Sequence, residues 1–436
     1  MNIIMYRLKR RFSLPSQVQK WLILLFVAAA GLRFLLYPIQ TTDYQEFFWP
    51  WYNFLQVHGG FTALKYSFSN YNLPYLYLLA LATYLPLPGL IAIKTISILF
   101  DGLLAFFAYR ILRLKYSKPS LIPSIGALVL LFAPTIIDNS AAWGQCDAIY
   151  TSLCLGCLYF LLKDRPGWAC SFLGLAFSFK LQTIFFLPVS LLLLMRKGFQ
   201  LCYLLLIPAI FLFLLFPAFL VGRPFDSMLT IYLGQMNSGG LGGTGSVLQA
   251  GSSSVSSHYP PLTLNAPSFY QWFPVDAPEA WKWLGIILAG LFILFIGFLF
   301  WKSKVPLTPG VLLKLTLTFA LAIPFLLPEM HERYFYIADV VSIITAFYFA
   351  RAFYRAIVIQ CCSFISYIPF LHTQIVSLAV IAIVVLIITL IATTDLILTL
   401  YPVLLKQDPP VKPDPPVLAS AIPGVSRSVT VSELDE

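Results

Sequence analysis

Charged residues are scarce in this sequence. They make up 11% of its 436 residues, against roughly 25% in an ordinary soluble domain. Hydrophobic residues make up 59%, and the mean hydropathy is +0.83. A soluble fold of this size could not bury so many apolar side chains, so the remainder must face lipid. The sequence therefore predicts an all-α, polytopic integral membrane protein and excludes a soluble enzyme, a nucleic-acid-binding protein, a disulfide scaffold and a disordered chain.

Acidic residues and cysteines are also few. The chain has 28 Lys and Arg against 18 Asp and Glu, a net charge of +10. Because the cations lie in loops between apolar runs, membrane orientation explains them better than a nucleic-acid partner does. The seven cysteines are an odd number, and most lie in apolar runs. Cys154 and Cys157 form a CxxC pair without a second pair, which favours small buried thiols over a zinc or redox site.

The apolar runs divide the chain into three parts. Residues 1–20 carry cations and no acid, which predicts a basic cytoplasmic N-terminus. Residues 21–403 predict a transmembrane domain of about 11 to 13 helices, because about 20 residues suffice to cross a bilayer. Its first run lacks a small-residue cleavage site and is expected to stay as a span. Residues 404–436 are rich in proline and acids and predict a disordered tail.

The positive-inside rule assigns the polar segments to the two sides of the membrane. If the basic clusters between spans are cytoplasmic, the non-cytoplasmic face receives outer loops near 40–72, 137–147, 223–280 and 328–334. Residues 44–86 must then form helices that lie along the outer surface or dip into it. Residues 238–257 are rich in Gly and Ser, which predicts either a loop that orders over a ligand or a slack connector.

The first outer loop contains two carboxylates, Asp43 and Glu46, followed by an aromatic stretch. A carboxylate at the membrane surface beside aromatic rings could act as general base for a sugar hydroxyl. Asp43 could instead cap the helix that follows, which is the commoner use of Asp at such a position.

The other outer segments contain further candidate groups. Trp143, Gln145 and Asp147 suit a sugar or metal site, although an interfacial Trp with a helix-capping Asp is the simpler interpretation. Lys180 lies in an apolar run, where it could bind a lipid phosphate or extend to the surface. His331 and Arg333 could bind a phosphate, or the segment could be a polar turn.

One further pair of charged residues lies within an apolar run. Lys94 and Asp101 are seven residues apart on one helix face, which predicts a structural ion pair.

Six sequence motifs occur in an order typical of one family. They are TDYxxF…PWY…GG (42–60), NYNLPYLYLL (70–79), WGQCD (143–147), FSFKLQTIFFLP (177–188), LTLNAPSFYQW (262–272) and MHERYFY (330–336). In this order they resemble the membrane-embedded glycosyltransferases of the GT-C fold, most closely bacterial relatives of the mannosyltransferase that adds the second mannose of glycosylphosphatidylinositol anchors. The resemblance covers about residues 20–350, and WGQxD together with MHERY carries most of its specificity.

The resemblance implies a substrate and a reaction. The donor is a hexose, such as mannose, on a polyprenyl monophosphate, used at the non-cytoplasmic face without metal or other cofactor. The acceptor is a glycan, a glycolipid or a protein. Asp43 matches the family's catalytic carboxylate, which removes the proton from the acceptor hydroxyl as it attacks the anomeric carbon with inversion. If Asp43 and Glu46 instead resemble the Asp–Glu pair of protein O-mannosyltransferases, the identity of the base is open.

The same resemblance assigns the remaining roles. A phosphate leaving group needs cations rather than a general acid, and Lys180, His331 and Arg333 are the candidates. The candidates for the sugar or acceptor pocket are Glu46, Trp143, Gln145, Asp147, Asn265 and Trp272. These roles depend on one geometric prediction, that Asp43, Lys180 and Arg333 converge at the outer face.

Two other functions would suit a similar sequence. A transporter or flippase of a lipid-linked sugar would bind the same ligand, although transporters often show repeated halves and the sequence has no evident repeat. A scaffold subunit could keep the fold without catalysis. The resemblance favours a bacterial plasma membrane with the site facing outward.

Overall fold

The structure is a computed structural model that describes residues 16–116, 120–196, 200–237, 262–274, 280–371 and 376–402. Within these ranges nearly every element is a helix, which confirms the all-α prediction. Most of the basic N-terminus, the Gly/Ser-rich residues 238–257 and the proline-rich tail from residue 404 lie outside the described residues.

Seventeen α-helices are described, numbered here in chain order. They are α1 Ser16–Leu36, α2 Trp49–Val57, α3 Leu73–Ala82, α4 Gly89–Lys115, α5 Ile122–Phe132, α6 Pro134–Ile137, α7 Asp147–Leu162, α8 Pro166–Phe179, α9 Leu187–Arg196, α10 Leu206–Leu220, α11 Phe225–Leu229, α12 Ile231–Asn237, α13 Ala280–Lys302, α14 Pro309–Leu326, α15 Tyr336–Tyr348, α16 Phe353–Leu371 and α17 Leu378–Leu400. Single turns of π- or 3₁₀-helix join many of them, at Tyr44–Phe48, Gly60–Lys65, Asp138–Trp143, Leu181–Phe185, Leu201–Leu205, Phe269–Trp272, Glu332–Phe335 and Ala350–Ala352.

Seven of the described helices are long and apolar enough to cross a membrane, and the chain is an integral, multi-pass membrane protein. An eighth span results if the pair 122–132 and 134–143, bent by 57°, is counted as one. This is fewer than the 11 to 13 spans predicted. The difference arises because several apolar runs form helices shorter than the roughly 20 residues that a full crossing needs. Examples are α7 with 16 residues, α8 with 14 and α15 with 13.

The breaks in the long apolar runs follow the sequence closely. The run 168–195 divides at Lys180, whose backbone is extended (φ −151°, ψ 135°), into α8 and α9. The last run divides into α16 and α17, as its length predicts. Residues 44–82 form a series of short helices, which agrees with the predicted helical first outer loop. These breaks place polar side chains at helix ends rather than within the spans.

A very small parallel sheet joins two of the outer segments. Thr263–Leu264 (β1) pairs with Met330–His331 (β2). Asn265 then forms an isolated bridge with His331, with a left-handed backbone at Asn265 (φ 61°). The sheet therefore fixes the loop after residue 261 against the segment that contains Arg333.

Side-chain contacts show which helix ends lie together. Lys94, near the start of α4, donates hydrogen bonds to the carbonyl oxygens of Leu36 at 3.0 Å and Ile39 at 2.6 Å, after α1. Lys115, at the other end of α4, donates to the carbonyl of Tyr348 at the end of α15. A helix of 27 residues is about 40 Å long. We call the end of the bundle where the start of α4 meets residues 36–39 the Asp43 end. We call the end where Lys115 meets Tyr348 the Lys115 end.

The later helices keep the same arrangement. At the Asp43 end, Phe370 of α16 stacks on Trp143 with ring centroids 4.7 Å apart. At the Lys115 end, Asp395 of α17 accepts from Lys314 at 2.8 Å and from Arg355 at 2.5 Å. The charged groups that begin α14 and α16 therefore lie opposite the polar outer segments.

The predicted ion pair of Lys94 with Asp101 is wrong. Asp101 instead accepts a hydrogen bond from Arg33 of α1 at 2.8 Å and another from Ser140 at 2.6 Å. Residues seven apart on one helix are separated by about 10 Å along its axis, which is too far for direct contact. Arg33 reaches Asp101 from a neighbouring helix and so links α1 to α4.

Candidate functional site

Four charged side chains meet at the Asp43 end, three from outer segments and Lys180 from the break between α8 and α9. Arg333 lies between two carboxylates, with Nη1 3.9 Å from Asp43 Oδ2 and Nε 3.8 Å from Asp147 Oδ2. Lys180 Nζ lies 2.5 Å from Asp147 Oδ1. The predicted convergence of Asp43, Lys180 and Arg333 is therefore present. We call these four residues and Glu332 the Asp43 cluster.

Asp43 is held through one of its two oxygens. Oδ2 accepts a hydrogen bond from Trp143 Nε1 at 2.9 Å and another from Gln145 Nε2. The side chain makes no capping bond to the helix that follows, so the interpretation of Asp43 as a helix cap is wrong. All contacts of this carboxylate with the described residues go to Oδ2. Oδ1 is thus available to a ligand, and 14% of the side chain is exposed.

The backbone of residues 138–147 explains why two donors reach the same oxygen. The π-helical turn Asp138–Trp143 ends at Gly144, which has φ 79°, a conformation that favours glycine. The chain then turns back, and Gln145 N donates to the carbonyl of Asn139 at 2.8 Å. Trp143 and Gln145 are both fully buried. The indole and the amide are therefore fixed before any ligand arrives.

Asp147 is the most buried carboxylate of the cluster and is fully paired. Lys180 occupies Oδ1, and Asn139 Nδ2 donates to Oδ2 at 2.8 Å. Lys180 is only 8% exposed, so it does not extend to the membrane surface, contrary to one of the two interpretations of its position. Its ammonium group lies 5.8 Å from the ring centroid of Tyr150 and 5.9 Å from that of Tyr71, distances at which aromatic faces attract cations.

Arg333 lies near three carboxylates but makes a hydrogen bond with one of them. Its closest partner is the neighbouring Glu332, with Nη1 and Oε1 3.1 Å apart. The guanidinium also lies over the Trp143 ring, 5.3 Å from the centroid. Its Nε is buried and makes no hydrogen bond with any described residue. A buried donor left unpaired is costly, so this N–H is suited to an added acceptor.

Glu332 is a member of the cluster that the sequence analysis did not single out. It is 1% exposed and brings a third carboxylate to a cluster with two basic side chains. Burial raises the pKa of Glu332 to about 7, although the adjacent Arg333 opposes this shift. With all three carboxylates ionised the cluster would carry a net charge of −1, which repels an anionic ligand. Protonation of Glu332 removes that charge.

We expect Glu332→Gln to stabilise the protein above pH 7 and to leave its stability unchanged near pH 4.5. The glutamine mimics the protonated acid. In the folded state the pKa of Glu332 is raised to about 7, so the unfolded chain ionises first and stability falls as the pH rises towards 7. The raised pKa corresponds to roughly 3 kcal/mol. Thermal unfolding in detergent at pH 5 and pH 8 measures the difference.

The matched control is Glu46→Gln, the same change at an exposed carboxylate, which should have little effect at either pH. A lower melting temperature of the Glu332→Gln protein at pH 8 would contradict the prediction. It would mean that the ion pair with Arg333 outweighs the cost of burying the carboxylate.

Several predicted site residues lie outside the centre of the cluster. Glu46 is exposed and takes no part in the hydrogen bonds and ion pairs of the Asp43 cluster described above. Trp272 is 40% exposed and donates through Nε1 to the carbonyl of Ala379 at 3.2 Å. Asn265 is connected to the edge of the cluster through its backbone bridge to His331. His331 lies at the edge, with Nδ1 3.9 Å from Glu332 Oε1.

A hydrogen-bond chain extends the cluster toward the first outer loop. Tyr71 OH donates to Gln145 Oε1 at 3.3 Å, so Tyr71 orients the amide that binds Asp43. Burial raises the pKa of Tyr71 well above its usual value, so the phenol stays protonated and serves as a donor. NYN at 70–72 stood out in the sequence only as part of a longer motif.

Metal ligation was one of two uses considered for Asp147. The described residues contain no group of three His, Cys, Asp or Glu side chains placed to hold a metal ion. Asp147 is engaged by Lys180 and Asn139 instead. In the described part of the chain, its carboxylate therefore serves the ion-pair network.

No family model matches this chain, and no curated protein matches it. A functional assignment therefore depends on the geometry of the Asp43 cluster and on the motif resemblance.

Proposed function

We propose that the protein is a glycosyltransferase of the GT-C type. It transfers a hexose, such as mannose, from a polyprenyl-phosphate donor to an acceptor hydroxyl at the non-cytoplasmic face, with inversion and with Asp43 as general base. One observation carries the proposal: Asp43 is anchored through Oδ2 alone, next to Arg333 and within one network with Lys180. The acceptor is a glycan, a glycolipid or a protein.

The geometry of Asp43 suits proton transfer from an incoming hydroxyl. Trp143 and Gln145 fix Oδ2 and leave Oδ1 as the oxygen that can accept the proton. A base must lie within hydrogen-bond reach of the proton that it removes. Because the carboxylate is partly exposed, an acceptor from the aqueous phase can approach it without rearrangement of the buried cluster.

The cations of the cluster suit the leaving group. Cleavage of the sugar–phosphate bond leaves a phosphate monoester, which needs positive charge rather than a proton. Arg333 has an unused Nε–H and can bind phosphate oxygens through its planar fork. Lys180 lies on the other side of Asp147 and is the second candidate. Protonation of Glu332 would offset part of the negative charge that competes with the phosphate.

An apolar groove between α9 and α13 suits the polyprenyl chain. Its cavity of about 630 Å³ is lined by α9, α13 and the turn before α9, including Ile184, Leu191, Ile293 and Trp301. Ile184 lies four residues after Lys180, so the groove begins close to a candidate phosphate partner. An isoprenoid chain in the groove would exchange its contacts with bulk lipid for close packing against the two helices.

The distribution of cations supports an outward-facing site. The Lys115 end holds basic residues from α4, α14 and α16, and cytoplasmic loops carry an excess of Lys and Arg. The Asp43 cluster lies at the opposite end. We therefore assign the cluster to the non-cytoplasmic face, in a bacterial plasma membrane according to the resemblance.

The direct test incubates purified protein with a panel of polyprenyl-phosphate sugars and acceptor mixtures, then measures release of free polyprenyl phosphate by lipid analysis. We expect release with one hexose donor and a matching increase of glycosylated acceptor. A parallel arm reconstitutes the protein in vesicles and measures movement of the intact lipid-linked sugar between leaflets. Movement without release would instead identify a transporter. The absence of both release and movement would contradict both functions for the ligands tested.

A further inference from the structure

Five cationic side chains are buried in the described part of the chain, and one of them differs from the rest. The five are Arg33, Lys94, Lys180, Arg223 and Arg333. Four have acceptors: Asp101 for Arg33, backbone carbonyls for Lys94, Asp147 for Lys180 and Glu332 for Arg333. Arg223 is 2% exposed, yet its Nε and Nη1 are buried without a hydrogen-bond partner.

No negative charge faces Arg223 from the described residues. The nearest acid along the chain, Asp226, is exposed and forms no ion pair with it. The titratable group that acts on it is Tyr77, and burial raises the pKa of that phenol to about 12. Tyr77 is therefore neutral at physiological pH. A buried guanidinium without an anion is strongly unfavourable, so an anion other than those of the described residues suits this position.

The position of Arg223 indicates the kind of anion. It follows α10, the end of a span of which only 11% is buried against the protein, with Phe216 and Phe219 exposed toward lipid. Tyr232, further along the same segment, donates to the carbonyl of Phe177, three residues before Lys180. Arg223 thus lies at the Asp43 end, just beyond the last residue of the apolar span 201–220. The backbone of the preceding residue, Gly222, has φ 97°, and no heavy atom lies within 4 Å of the position that a Cβ would occupy there. The surface next to Arg223 is therefore open.

We infer that Arg223 binds a phosphate group at the edge of the bundle, beside the lipid-facing surface of α10. A guanidinium binds phosphate oxygens through charge-assisted hydrogen bonds, and Nε and Nη1 of Arg223 are two donors without a partner among the described residues. The phosphate belongs to a phospholipid headgroup or to free phosphate in solution. The inference does not depend on glycosyl transfer, because the described contacts of Arg223 do not involve the Asp43 cluster.

The test compares thermal unfolding of the wild type and Arg223→Met in delipidated detergent solution, with and without ligand. The probes are inorganic phosphate and a short-chain phosphatidic acid, each against a chloride control of equal ionic strength. Without ligand, we expect Arg223→Met to melt at the same temperature as the wild type or higher, because methionine removes an unpaired charge. With ligand, we expect the wild type to melt at a higher temperature and the variant to lose that shift.

Titration of the shift gives the affinity, and we expect Arg223→Met to weaken it at least roughly tenfold, as for loss of a charge-assisted contact. Arg223→Lys should retain a smaller shift. Arg165→Met is the matched control, because Arg165 is exposed and lies after α7, at the Lys115 end. It should keep the full wild-type shift.

The outcomes distinguish the sources of the phosphate. A shift with phosphatidic acid alone assigns a lipid site, and a shift with both probes assigns a site open to free phosphate. Equal shifts in the wild type and Arg223→Met, or no shift with either probe, would overturn the inference. So would a melting temperature of Arg223→Met that lies well below the wild-type value without ligand, since Arg223 would then have a packing role.

Discussion

Replacement of Asp43 by Asn is expected to reduce sugar transfer by roughly 10²- to 10⁴-fold while the fold is retained. The asparagine carbonyl can still accept the hydrogen bonds that Trp143 and Gln145 donate to Oδ2. The substitution replaces the available Oδ1 with an amide nitrogen, which cannot take the proton of the acceptor hydroxyl. The measurements are the initial rate of polyprenyl-phosphate release and the melting temperature of each protein.

Glu46→Gln is the matched control for this experiment, because Glu46 lies three residues away and is exposed. We expect it to transfer sugar at close to the wild-type rate. If Glu46→Gln were inactive and Asp43→Asn active, the assignment of the base would be reversed, as in the alternative resemblance to protein O-mannosyltransferases. Near-normal activity of both variants would exclude a carboxylate base in this loop.

The same variant separates catalysis from transport. A flippase binds its ligand but needs no proton acceptor at position 43, so Asp43→Asn should preserve movement of a lipid-linked sugar across vesicles. An enzyme with this substitution should still bind the donor, because Arg333 and Lys180 are unchanged. Donor binding without release in the variant, combined with release in the wild type, is therefore the result that favours glycosyl transfer.

Much of the architecture could be predicted because lipid imposes simple rules on sequence. Apolar runs became helices, and the long final run divided in two as its length required. The convergence of Asp43, Lys180 and Arg333 could be anticipated because the motif resemblance assigns all three to one site. The excess of Lys and Arg in the loops between other spans predicted which side of the membrane that site faces. None of these inferences required knowledge of a side-chain contact.

The missed features depend on packing between helices, which composition does not report. Glu332 was passed over because it is adjacent to the more conspicuous Arg333, and only the structure shows it fully buried. Lys94 was paired with the wrong partner because spacing on one helix says nothing about a neighbour such as Arg33. The seven helices that are long enough to cross, among the described residues, are fewer than the spans predicted because several apolar runs form helices of 10 to 17 residues.

Substitution of Lys180 by Met is expected to destabilise the protein by roughly 3 to 5 kcal/mol, the usual effect of breaking a buried ion pair from one side. Asp147 has no exposed side-chain area, so its charge would lose its closest partner without gaining water. Asn139 and the more distant Arg333 would be its remaining contacts. Unfolding of the detergent-solubilised protein, monitored thermally or with denaturant, gives the change.

The double variant Lys180→Met with Asp147→Asn should recover most of that stability, because it leaves neither charge unpaired and the asparagine can still accept from Asn139. Donor affinity should behave differently. If Lys180 binds the donor phosphate, affinity for the polyprenyl-phosphate sugar should fall in both Lys180→Met proteins, whether or not stability is recovered. A double variant as unstable as the single one would show that the ion pair with Asp147 is not what Lys180 contributes to the fold. Normal donor affinity in the stable double variant would remove Lys180 from the phosphate site and leave Arg333 as the cation that meets the leaving group.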